Sequence, residues 1–93
     1  MINLFQKTWA EIDCEIAEKM KRLRKRKRIT QKELAKKSGV SLGSIKRFEQ
    51  SGEISLRALT KIAIALDVEN ELESLFENVP FESIEEVLNE QNR

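Results

Sequence analysis

Apolar residues recur along this chain at helical spacings and nowhere alternate in twos over a useful length. Trp9, Ile12, Ile16, Met20 and Leu23 are spaced 3, 4, 4 and 3 apart, which predicts one apolar stripe on a first helix from about Thr8 to Lys27. Ile29 then drops into the core. Thr30, followed three residues later by Glu33, is a capping box and starts a second helix. Gly39 can take the left-handed conformation that stops this helix after about two turns. Ser41 can cap a third helix carrying Ile45 and Phe48 on one face and Lys46 and Arg47 on another. Ser51-Gly52-Glu53 reads as a loop. Ser55 caps a fourth helix whose inward face is Leu56, Leu59, Ile62, Ala63 and Leu66. Asn70 to Phe76 is expected to form a short fifth helix anchored by Leu72, Leu75 and Phe76. Val79-Pro80-Phe81 breaks it. Ser83 with Glu86 is a second capping box, opening a final helix with Ile84, Val87 and Leu88 on one side. The expected fold class is all-α, a bundle of about five to six helices.

The segment from Thr30 to Gln50 narrows the picture. Counted from Gln31, position five is Ala35, nine is Gly39, fifteen is Ile45 and eighteen is Phe48. A second helix crossing the first near position five needs a small residue there. A glycine at nine makes the turn, and apolar residues at fifteen and eighteen anchor the second helix. Two short helices joined in this way form a helix-turn-helix, whose second helix, about 42–50 here, enters a DNA major groove. The plainer alternative is an ordinary helical hairpin with a solvated basic face. Four coincident positions and both caps favour the first reading.

Charge changes the picture through its distribution. The net charge of the 93 residues is +1. Residues 1–18 carry net −3, residues 19–47 net +12 and residues 48–93 net −8. Polyanion binding requires such a concentration of cations, because affinity follows the number of phosphates neutralised. The basic band coincides with the helix-turn-helix. Composition also limits the chemistry. There is no histidine, no tyrosine and one cysteine, Cys14, so no intramolecular disulfide can form and no metal site or cofactor is expected. Cys14 reads as a small packing residue. No acid/base set or phosphate loop can be assembled, so enzyme activity is not expected. No apolar run is long enough to span a bilayer and no signal-peptide pattern opens the chain, which suggests a cytoplasmic protein. Length suggests a single domain over 1–93, its core about 12–76, with 77–93 as an extension carrying the short last helix. The apolar residues at the ends (Phe5, Phe81, Ile84, Leu88) must bury against this chain's own core, a second copy or another protein.

The stretch from about Leu23 to Val68 resembles the lambda-repressor/Cro-like (XRE) helix-turn-helix family. The resemblance rests on Leu23-Arg24, Thr30-Gln31, Leu34-Ala35, Gly39-Val40-Ser41, Ile45, Phe48-Glu49 and Leu66-Asp67-Val68. It covers about half the chain. It implies a compact helical bundle that binds double-stranded operator DNA, usually as a homodimer on a palindromic site, to regulate transcription, as a repressor for example. One departure is Leu42-Gly43, where many members carry Gln, Arg or Ser. The pattern from Phe48 to Leu56, with the acidic helix beyond it, also resembles stand-alone antitoxins of the HipB sort, which would imply a toxin partner. An alternative from another class is a protein-interaction module that keeps the fold without binding DNA.

Residue roles follow from both lines of reasoning. Arg47 is the first choice as base reader, since Arg to guanine O6/N7 is the commonest specific contact. Lys46 reads a base or holds a phosphate. Leu42 can touch a thymine methyl, and Gly43 permits close approach. Ser44 and Ser41 are candidate donors to base edge and phosphate. Lys32, Lys36, Arg26 and Arg28 are expected to neutralise the DNA backbone. The resemblance places Gln31 on a phosphate, which the start of a helix would favour. It also implies that Glu49 forms a structural ion pair with Arg24 and takes no part in binding.

Overall fold

The computed structural model describes residues 6–78, and they are all-helical, with no strand among them. Five helices follow in order: α1 (Trp9–Arg26), α2 (Gln31–Ser38), α3 (Leu42–Ser51), α4 (Leu56–Ala65) and α5 (Glu69–Glu73). Four of them start at a hydroxyl cap. The Oγ atoms of Thr8, Thr30, Ser41 and Ser55 accept from the backbone N–H groups of Glu11, Glu33, Ser44 and Ala58, each at 3.1 Å. At Thr30 the bond is reciprocated, since its own N–H donates to Glu33 Oε1 at 3.1 Å. The bond from the Thr30 N–H foremost, with the Thr30 hydroxyl beside the carboxyl, holds Glu33 below the usual carboxylate range.

Gly39 and Gly52 end α2 and α3 with φ of +76° and +80°, the left-handed conformation that glycine adopts without steric cost. α1 ends in the same way without glycine. Arg28 takes φ +59°, its N–H donates to the Lys25 carbonyl, and Ile29 N–H reaches back to the Arg24 carbonyl.

The core gathers Leu34 of α2, Ile45 and Phe48 of α3, Ile62, Ala63 and Ala65 of α4, and Val40 and Leu66 from the connections. α1 adds Ala17. Fully burying each of the large residues stabilises the fold by about 1.5–3 kcal/mol. α3 packs on α1, while α2 packs on both α3 and α4. This arrangement fixes the helix-turn-helix on a floor made by α1 and α4.

Three expectations are corrected. The stripe of α1 does not run inward along its whole length. Met20 and Leu23 pack on the core, but Ile12 and Ile16 are exposed and Trp9 is 79% exposed. The buried apolar residue of α1 is the small Ala17, one turn after Asp13, where α3 comes close: a Cβ on Gly52 would lie 2.7 Å from the backbone carbon of Asp13. Leu56, expected to face inward, is 70% exposed, because α4 begins at this residue and its buried face starts a turn later, at Leu59. α5 is shorter than the expected span from Asn70 to Phe76. It ends at Glu73, Phe76 takes φ +66°, and Leu75 and Phe76 are exposed, leaving Leu72 as its anchor. The expected last helix, with Ile84, Val87 and Leu88, lies outside the described residues, as do Phe5 and Phe81.

Candidate nucleic-acid interface

α3 sets the geometry of the interface. Ile45 and Phe48 bury one side of it. With 3.6 residues per turn, the opposite side carries Gly43, Lys46, Arg47 and Gln50, and all four are exposed. The Cβ position of Gly43 meets nothing within 4 Å, and its φ is not positive. Nothing within the fold requires a glycine there. Gln50 is a member of this face that the sequence reading passed over. Its place four residues after Lys46 and three after Arg47 was the available signal, and a carboxamide can pair with adenine at N6 and N7. Leu42 is half-buried and only partly available to the outside.

The hydroxyls at the start of α3 divide their work. Ser41 Oγ accepts from the Ser44 N–H, and its own proton goes to Ser44 Oγ at 2.8 Å. Ser41 is therefore occupied as a cap, while the Ser44 hydroxyl proton remains available at the surface.

α2 lies beside this face. Lys32 and Lys36 are exposed one turn apart on its outward side, opposite Leu34. The N–H groups of Glu33 and Leu34 are taken by the side chain and carbonyl of Thr30. Those of Gln31 and Lys32, in the first turn, point out along the helix axis, where the helix dipole favours an anion. Arg28 stands exposed in the connection just before. Arg26 lies elsewhere. It is about half a turn around α1 from Arg24 and lines a groove shared with α4 and α5.

One polar cluster holds these parts at a fixed angle. Arg24 donates to Glu49 through Nε at 2.7 Å and Nη2 at 2.9 Å, and its Nη1 donates to the Ile29 carbonyl at 2.8 Å. Gln31 Nε2 donates to Glu49 Oε1 at 3.0 Å. The Arg24 and Glu49 side chains are only 9% and 4% exposed. A single carboxylate thus ties α1, the start of α2 and α3 together. Burial alone would push the Glu49 carboxyl up. The hydrogen bonds from Arg24 and Gln31, with the charges of Arg24 and Lys21, outweigh that effect and hold it below the usual range.

Among the described residues, no group of His, Cys, Asp or Glu could hold a metal ion, and no helix is long and apolar enough to cross a membrane. Comparison with curated proteins finds no match to this chain. A family model described as Helix-turn-helix matches residues 20–69, the stretch from the middle of α1 to the start of α5. With a hydroxyl-capped α2, a left-handed glycine turn, an anchored α3 and a match over more than half its length, the chain belongs to the lambda-repressor/Cro-like (XRE) helix-turn-helix family of DNA-binding proteins.

Proposed function

We propose that this protein is a sequence-specific transcriptional regulator that binds a palindromic operator as a homodimer, with α3 of each subunit in the major groove. One observation carries the reading. The outward side of α3 is a glycine flanked by Lys46, Arg47 and Gln50, and its Gly43, Lys46 and Arg47 close the stretch of net charge +12. Gly43 lets the helix backbone come close to the base edges. Arg47 pairs with guanine, Lys46 and Ser44 supply further donors, and the exposed edge of Leu42 meets a thymine methyl. Lys32, Lys36, Arg28 and the first-turn N–H groups of α2 hold phosphates and set the register. Gln31 keeps one N–H on Glu49 and offers the other to phosphate. Two copies are needed because one recognition helix contacts few base pairs, and half-sites one helical turn apart require two such helices.

The test separates reading from holding. The preferred site is selected from randomised duplexes, and affinities for it and for random duplex are compared. Arg47→Ala should cost about 1–3 kcal/mol on the selected site and little on random duplex, since a lost base contact removes discrimination. Lys36→Ala should weaken both about equally, since a phosphate contact carries no direct sequence information. An equal drop in the selected-to-random ratio for both variants, or no drop for either, would overturn the assignment.

A further inference from the structure

Away from the outward face of α3, the helices α1, α4 and α5 enclose an open groove of about 600 Å³. Its floor is apolar, with Leu23, Leu59 and Leu72 prominent. Its rim along α1 is basic, formed by Lys19, Arg22 and Arg26, against one acid, Glu71. Arg22 is loosely engaged by Glu18 at 3.7 Å, and among the described residues Lys19 and Arg26 make no ion pair.

Three features single out the occupant. The first is the tether. Leu75 lines the groove, and Val79 follows only four residues later, so the next segment begins within about 14 Å of it. A short tether of this kind gives an effective concentration of order millimolar. The second is charge. Residues 79–93 contain four glutamates and one arginine, net −3, to set against the basic rim. The third is pattern and length. Ile84, Val87 and Leu88 fall on one arc of a helix that the Ser83–Glu86 capping box would start, with Phe81 just before the cap. From Ile84 to Gln91 such a helix is about 11 Å long, which fits within the stretch of about 15 Å along α1 from Ile16 to Arg26, the two ends of the groove.

We propose that residues 84–91 dock as an amphipathic helix in the α1/α4/α5 groove of the same chain. The apolar arc covers Leu23, Leu59 and Leu72, and the glutamates beside it face Lys19, Arg22 and Arg26. The docked segment caps the core on the side away from α3 and draws Arg26 into ion pairing, apart from the phosphate-binding set.

Methyl NMR on the full chain tests this. NOEs are expected between Ile84 or Leu88 methyls and Leu23 or Leu72 methyls. They should persist in a sample mixing differently labelled chains, read within one chain only. In the Ile84→Glu/Leu88→Glu variant these NOEs should vanish and the Leu23 and Leu72 methyl signals should shift, while the amide signals of Lys46 and Arg47 stay in place. Absent NOEs, or Leu23 and Leu72 signals unchanged in the variant, would overturn the proposal. NOEs seen only between differently labelled chains would also overturn it, in favour of exchange between two copies. If the variant does not fold, the NOE pattern of the unaltered chain decides. None of these readouts involves DNA, so the result is independent of the operator reading.

Discussion

Two glycines end two helices with almost the same φ, yet they differ in what surrounds them. A Cβ at Gly39 would meet open space, whereas one at Gly52 would press into the Asp13 backbone of α1. Gly39→Ala should therefore cost only the left-handed conformation, about 1–2 kcal/mol. Gly52→Ala should cost that and a further 1–3 kcal/mol or so for overpacking. Urea unfolding of the two variants checks this, and equal losses would mean that the α1–α3 approach is not tight. Glu49 is a second site where a single side chain matters. Removing one member of a buried pair leaves the other uncompensated, so Arg24→Met should destabilise by about 3–5 kcal/mol. The Arg24→Met/Glu49→Leu double variant should recover part of that loss, and a double variant no more stable than the single one would refute the argument. The same carboxylate predicts a pH dependence. Its folded pKa lies below the unfolded value of about 4.3, so its contribution is fully present above that pH. The contribution fades as pH falls through the folded value, where the native state must take up the proton. Thermal unfolding from pH 6 down to pH 3 should show an acid loss in the parent protein that is smaller in Glu49→Gln.

The elements themselves were largely legible because local chemistry specifies them. Thr8, Thr30, Ser41 and Ser55 each offer a hydroxyl to a backbone N–H three residues on, and a sequence displays that spacing directly. What was not legible depends on neighbours. Trp9 and Ile12 have the spacing of core residues, but no helix lies over that end of α1 among the described residues, so they stay exposed. Ala17 carries too little hydrophobicity to stand out, and it is buried because Gly52 lets α3 come close. Arg28 adopts a conformation that a sequence would assign to glycine. Glu49 acquires Gln31 as a partner from 18 positions away, which no local pattern signals. At the interface, the basic character of α3 could be read from residue types, while the engagement of Ser41 by Ser44 could not. Gly43 shows how an element can be kept below its own best stability. A glycine inside a helix costs about 0.5–1 kcal/mol relative to alanine, and the surroundings of Gly43 require none. Gly43→Ala should thus raise the midpoint of thermal unfolding and at the same time weaken binding to the selected duplex. A variant that is stabilised with unchanged affinity would show that the α3 backbone does not approach the bases closely.

For the whole molecule, a net charge of +1 would suggest indifference to nucleic acid if charge were spread evenly. Segregation changes this, because in the proposed complex a duplex meets Arg28, Lys32, Lys36, Lys46 and Arg47, all within residues 19–47, while the acids concentrate in the residues that follow. Screening lengths of about 8–10 Å at ordinary ionic strength keep the two regions electrostatically distinct. Binding then releases counterions in proportion to the phosphates engaged. A dimer presenting Arg28, Lys32 and Lys36 from each subunit engages about six, which predicts a log–log salt slope near −5. The slope also counts subunits. Lys36→Ala removes one phosphate contact per chain, so the slope should fall by about 2 for a dimer and by about 1 for a monomer. Duplex titrations between about 50 and 200 mM salt resolve that difference, since affinity over this range changes by orders of magnitude. Sedimentation of the same mixtures gives the stoichiometry independently. A change near 2 with two chains per duplex supports the paired arrangement. A change near 1 with one chain per duplex removes the homodimer and leaves α3 as a single reader. A flat salt response in the parent protein removes the basic band as the nucleic-acid face altogether, because no arrangement of these lysines and arginines against phosphate can avoid releasing ions.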